Sequence, residues 1–87
     1  MLRITIYTAL LCPYCHMAKR LLGTKSVPFD EVDVTFQPEA RAEMRDAAGG
    51  ENSVPQIWIG DKHVGGCDEL YELERQGQLD GLLMPAS

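Results

Sequence analysis

Apolar residues recur along this chain with two different periods, and the switches between them mark out its elements. Arg3-Ile4-Thr5-Ile6-Tyr7 alternates polar and apolar side chains, as a strand with one buried face does, and Leu2, Ile4 and Ile6 share that face. From Met17 to Leu22 the spacing turns helical, and Met17, Ala18, Leu21 and Leu22 form one apolar stripe with Lys19 and Arg20 elsewhere on the surface. The pattern predicts a helix from Pro13 to Leu22. Pro13 suits the first helical position, where its missing N–H costs nothing, and Gly23 suits the C′ position. Val27-Pro28 then breaks the chain. Phe29 to Val34 reads as a second strand, with Val32 and Val34 on one face and Glu31 and Asp33 on the other. Strand, helix and strand in this order predict a right-handed β-α-β unit with parallel strands.

Pro38 opens a second helix that ends near Ala48, where Gly49-Gly50 stops it; Ala40, Met44, Ala47 and Ala48 supply its thin apolar stripe. Ser53-Val54-Pro55 precedes a third strand, Gln56 to Ile59. Gly60-Asp61 is a two-residue hairpin signal, and Lys62-His63-Val64 is the antiparallel partner. Pro55, at the strand entrance, is a candidate cis-proline. Gly65-Gly66-Cys67-Asp68 leads into the last main helix, which runs to about Gln76 and turns Leu70, Tyr71 and Leu73 inward. Asp68 and Glu69 in its first turn complement the helix dipole. A final turn from Leu79 to Met84 adds apolar caps to the core. The order is β-α-β-α-β-β-α, an α/β pattern.

Length and charge narrow the function classes. At 87 residues the chain holds one domain, spanning 1–87, with one modest core. Its net charge of −5 and the lack of any basic run argue against a nucleic-acid surface. No apolar stretch approaches the roughly 20 residues that span a membrane, and the N-terminus passes straight into strand pattern rather than a signal peptide. A set of three cysteines suits a reducing cytosol better than a secreted scaffold, so a cytoplasmic location is expected. A monomer is the default expectation.

The chemistry concentrates in Cys12-Pro13-Tyr14-Cys15, where the first strand gives way to the first helix. Cys12 falls at the N-cap and Cys15 one turn further in. Residues three apart share a helix face, so the two sulfurs can join in an unstrained disulfide. A helix N-terminus carries unpaired N–H groups and roughly half a positive charge, both of which favour thiolate over thiol. Cysteines in this setting titrate at about 3.5–7.5, against about 8.5 when free. Cys12 is therefore the expected nucleophile and Cys15 the shielded, later-acting thiol. Cys-x-x-Cys beside a β-α-β pattern reads as thioredoxin-like.

Several neighbouring features admit two readings. Leu10 and Leu11 are either buried loop packing or an exposed apolar rim for docking. His16 either acts as a base or raises the local positive charge, or else is simply a solvated helix residue. Arg41 and Arg45, four apart, either bind a carboxylate or form a solvated face.

Four stretches together resemble the glutaredoxins, most closely the small bacterial dithiol members of the glutaredoxin 3 type. They are Ile6-Tyr7-Thr8, Cys12-Pro13-Tyr14-Cys15-His16, Ser53-Val54-Pro55-Gln56-Ile57 and Gly65-Gly66-Cys67-Asp68-Glu69-Leu70. Thioredoxins share the cysteine motif and the proline but lack Gly-Gly-Cys-Asp. The resemblance implies a thioredoxin-like fold: a four-stranded mixed sheet with helices on both faces. It implies that Pro55 is cis and faces the cysteine pair. Glutathione would lie along Val54, whose backbone would pair with the tripeptide's cysteine. The start of the third helix would hold the glutamyl end through Cys67 and Asp68. Tyr14 would flank the cleft, and Arg41 would reach the glycine carboxylate. Two positions depart from the family pattern: Ala9 stands where a lysine is usual, and Ser53 where threonine is.

The function so implied is glutathione-dependent thiol–disulfide exchange, with Cys12 and Cys15 as the catalytic pair and glutathione as co-substrate. Its partners would be disulfide-containing or glutathionylated proteins, with no nucleic acid, membrane or metal involved. Two rivals stand beside it. Cys12, Cys15, Cys67 and His63 nominally make a four-ligand zinc set or a cluster module. Alternatively, the chain is a dedicated electron donor to one reductase, fed by thioredoxin reductase. Cys67 is read as a buried inert thiol, with a slowly oxidised regulatory thiol as the alternative.

Overall fold

A computed structural model describes residues 3–84. The elements are β1 (Ile4–Thr8), α1 (Pro13–Thr24), β2 (Asp30–Asp33), α2 (Pro38–Ala47), β3 (Gln56–Ile59), β4 (Lys62–Gly65), α3 (Cys67–Arg75) and α4 (Leu79–Leu83). The strands form one sheet in the order β2-β1-β3-β4. β1 and β2 are parallel, while β1–β3 and β3–β4 are antiparallel. This is the mixed four-stranded sheet of the thioredoxin-like architecture that the resemblance implies.

Alternation along the strands divides the sheet into two faces. Ile4, Ile6, Ile57 and Ile59 point into one core, where Ala18, Leu21 and Leu22 of α1, Leu70 of α3, and Leu79 and Leu83 of α4 close over them. Tyr7, Gln56 and Trp58 alternate with those residues and so belong to the other face. Val34, Met44 and Ala48 are buried outside the main cluster. Gly60 opens the β3–β4 hairpin at a φ of +60°, a left-handed conformation natural to glycine. Among the described residues no helix is long and apolar enough to cross a membrane.

The structure departs from the periodicity in a few places. α1 does not stop at Gly23 but continues to Thr24, with Lys25 as C-cap. Lys25 is tied to Glu74 at 2.7 Å and to Asp80 at 2.9 Å, so ion pairs to α3 and α4 hold the last turn of α1. Met17 is not in the buried stripe; it is 43% exposed, because Ala18, Leu21 and Leu22 already fill the face towards the sheet. Ala47 is likewise exposed, while Met44 and Ala48 carry the burial at the end of α2. β2 is shorter than the apolar run, although Val34 N–H still donates to Thr8 O at 2.8 Å beyond its end. Leu2 lies outside the described residues.

Candidate functional site

Cys12 caps α1. Its backbone is extended, Pro13 follows as the first helical residue, and its Sγ accepts the Cys15 N–H at 3.1 Å. One of the unpaired donors at the helix start is thereby aimed at the Cys12 sulfur, an arrangement that favours negative charge there once the sulfur is reduced. Cys12 and Cys15 are joined as a disulfide across a Cα–Cα distance of 5.2 Å. Cys15 is buried within the helix, whereas Cys12 is only half-buried at its mouth.

The Cys12 sulfur also lies 3.8 Å from the Val54 carbonyl oxygen. The Val54-Pro55 peptide bond is cis. A cleft runs beside it, lined by Tyr14, Ser53, Val54 and Pro55 on one side and by Gly66, Cys67, Asp68 and Glu69 on the other. The second wall is the start of α3. Glu69, the third residue of that helix, takes the Gly66 N–H at 2.7 Å and leaves other N–H groups of the first turn to the cleft. Gly65 has a φ of +115°, and a Cβ there would meet Glu69 at 2.7 Å, so the tight entry into α3 requires glycine. Gly66 and Glu69 join the cleft beside the residues expected there, and their Gly-x-x-Glu spacing at a helix start is the signal that marks them.

Of the residues expected to form the site, Tyr14, Val54, Pro55, Cys67 and Asp68 come together on this cleft, with Cys12 next to it and Cys15 buried behind. Arg41 does not line it. Its guanidinium donates to Asn52, to Oδ1 at 3.1 Å and to the backbone carbonyl at 2.8 Å, one residue before Ser53. Ala9 is half-buried in the approach to Cys12.

Burial pushes the Cys67 thiol up from its ordinary range, and Asp68 and Glu69 push it further. Leu10 and Leu11 resolve as a rim rather than as packing: they are 59% and 97% exposed, and Leu11 has a φ of +56°. Tyr14 and Met17 extend this apolar surface around Cys12, and His16 is exposed beside it. His63 lies on β4, stacked on Trp58 and bonded to Gln56. Among the described residues no three His, Cys, Asp or Glu side chains are grouped to hold a metal ion.

Comparison with known proteins agrees with this geometry. The family model described as Glutaredoxin matches residues 4–64. A glutaredoxin of Pseudomonas aeruginosa is 55% identical over 80 residues, which cover 92% of this chain and 94% of that one. The solution structure of a Brucella melitensis glutaredoxin superposes with a TM-score of 0.84 at 53% identity, covering 95% of this chain and 89% of that one. A buckwheat glutaredoxin–glutathione complex superposes with a TM-score of 0.83 at 27% identity, covering 94% and 76%. The chain therefore belongs to the glutaredoxin family of thiol–disulfide oxidoreductases, with Cys12 and Cys15 as its redox pair.

Proposed function

We propose that the protein is a glutathione-dependent disulfide oxidoreductase that reduces glutathione mixed disulfides and protein disulfides. One observation carries the reading: Cys12 stands 3.8 Å from the Val54 carbonyl, at the edge of a cleft walled by the Ser53-Val54-Pro55 backbone and a helix start. Backbone N–H and C=O groups leading into a strand can offer strand-like hydrogen bonds to a short peptide, and a helix N-terminus accepts a carboxylate. Asp68 provides a counter-charge for the glutamyl ammonium. The buckwheat relative in complex with glutathione supports the same assignment.

In the proposed cycle the Cys12 thiolate attacks the glutathionyl sulfur of a mixed disulfide. The sulfur–sulfur bond of the substrate breaks, its thiolate leaves and takes up a proton, and Cys12 carries the glutathionyl group. A second glutathione thiolate attacks that group, forming glutathione disulfide and restoring the Cys12 thiolate. With a protein disulfide, Cys12 forms the mixed disulfide with one sulfur and the other leaves as a thiol. Cys15 then attacks the Cys12 sulfur, releases the second protein thiol and closes the Cys12–Cys15 bond. Glutathione is a competent reductant for a pair in the usual glutaredoxin range of about −200 to −230 mV. On this reading one cytoplasmic domain, acting as a monomer, is sufficient.

Turnover of a glutathionylated substrate with glutathione and glutathione reductase, compared with thioredoxin reductase alone, tests the reading. The glutathione system should sustain turnover. Turnover with thioredoxin reductase only would make the chain a dedicated donor instead. Cys15→Ser should retain glutathionyl transfer and lose most protein-disulfide reduction, whereas Cys12→Ser should lose both.

A further inference from the structure

Gln56 is a polar residue at the head of an otherwise apolar strand, and it is only 3% exposed. Every polar atom of its side chain is engaged. Its Nε2 donates to the Ser53 carbonyl at 3.0 Å and to Ser53 Oγ at 3.3 Å. Its Oε1 lies 2.7 Å from His63 Nε2. Because the amide nitrogen faces Ser53, the oxygen faces His63, and the imidazole must carry its proton on Nε2 and donate. The His63 ring is itself held flat against Trp58, with centroids 4.6 Å apart and planes at 27°. A chain of contacts thus runs from β4 through β3 to the carbonyl immediately before Val54.

We infer that Gln56, oriented by His63, is a positioning residue that fixes the Ser53-Val54-Pro55 backbone for glutathione. The inference rests on the proposed function, in which glutathione pairs with Val54. Backbone recognition requires the Val54 N–H and C=O to be aimed correctly before the ligand arrives, because ordering them on binding would cost affinity. Ser53 itself is exposed, so it supplies no such order alone. A buried amide reaching back to its carbonyl does. Neither Gln56 nor His63 lines the cleft, so their effect reaches the ligand only through the loop.

The isosteric variant Gln56→Glu tests this. It can still accept from His63, but it sets a carboxylate oxygen against the Ser53 carbonyl. In the wild-type background the KM for glutathione should be low. In Gln56→Glu it should rise about 3- to 10-fold, the scale of one lost hydrogen bond, with kcat and the pH profile of Cys12 alkylation unchanged. His63→Leu should raise KM less, and His63→Gln, which restores a donor, should return it towards wild type. Independently of any ligand, ¹⁵N relaxation should show Ser53 and Val54 ordered in the wild type and more mobile on the ps–ns timescale in Gln56→Glu. Unchanged relaxation overturns the inference, even for a protein that proves not to use glutathione. Increased mobility with an unchanged KM overturns it as well. A wild type without glutathione-dependent turnover would instead sink the proposed function, with the relaxation result still deciding whether Gln56 orders the loop.

Discussion

Asp68 is an exposed side chain in the first turn of α3, with its backbone in the wall of the cleft. In the proposed complex its carboxylate meets the glutamyl ammonium. A hydrogen bond to a charged group contributes roughly 1.5–3 kcal/mol, and solvent access places this one at the low end. Asp68→Ala should therefore raise the glutathione KM about 10-fold in steady-state assays and leave Cys12 alkylation as it was. An unchanged KM would put the glutamyl end elsewhere. Individual residues were legible in the sequence in proportion to how local their reasons are. Cys12 as N-cap follows from Cys-Pro and the start of a helical stripe, and the structure has it there. The bond from Arg41 to Asn52 had no local signal, because it joins a helix to a loop eleven residues away. Gln56 carries no local signal beyond being a polar residue at a strand start, and its partner His63 is brought to it only when β3 and β4 pair.

At the scale of elements, strands and helices were readable because the period changes cleanly, and the misreadings fall where tertiary contacts outweigh local signals. Gly23 looked like a stop, yet α1 runs through it because Lys25, just beyond, is anchored to Glu74 and Asp80. The same fact yields a prediction. Gly23 is exposed and helical, and a Cβ added there would meet nothing within 4 Å. Glycine inside a helix is about 0.8–1.0 kcal/mol worse than alanine, partly through the freedom it leaves the unfolded chain. Gly23→Ala should stabilise the protein by about 1 kcal/mol, which in a domain of this size is a rise of roughly 4–8 °C in Tm. Denaturant melts should show the shift in midpoint at constant slope. No gain would mean that the last turn of α1 is frayed in solution and that the Lys25 ion pairs do not hold it. Met17 teaches the converse: helical spacing put it on the apolar stripe, but α1 lies beside the Cys12 rim there, and the side chain joins Leu10, Leu11 and Tyr14 at the surface.

Across the whole molecule, the groups whose ionisation is coupled to folding set a pH window. Glu31 ties three elements together: it accepts from Thr8 Oγ of β1 at 2.7 Å and pairs with Lys19 of α1 at 3.0 Å. The Thr8 hydroxyl, and then Lys19, hold its carboxyl below the ordinary range. Hydrogen bonds from Thr35 do the same for Asp33 at the end of β2. A carboxyl depressed in the folded state adds stability above its unfolded pKa, about 4 for these residues, and that stability is lost as pH falls through the lower folded value. Cys67 works at the other end. Burial keeps its thiol protonated past the ordinary range, whereas in the unfolded chain it ionises near 8.5. The unfolded state then binds fewer protons than the folded one, and stability falls as pH rises. In the oxidised protein Cys12 and Cys15 are paired, so Cys67 is the free thiol among the described residues and the alkaline limb below the tyrosine and lysine range belongs to it. Tm should therefore be flat between about pH 5 and 8 and decline on both sides. Glu31→Gln should lower the plateau and make the acid limb shallower, and Thr8→Val should do the same by removing the main cause of the shift. Cys67→Ala should flatten the profile between about pH 8 and 9.5 while leaving the acid limb alone. An alkaline limb that persists in oxidised Cys67→Ala would show that some other group titrates there, and an acid limb unchanged in Glu31→Gln would show that the contacts joining β1, β2 and α1 do not depend on that charge.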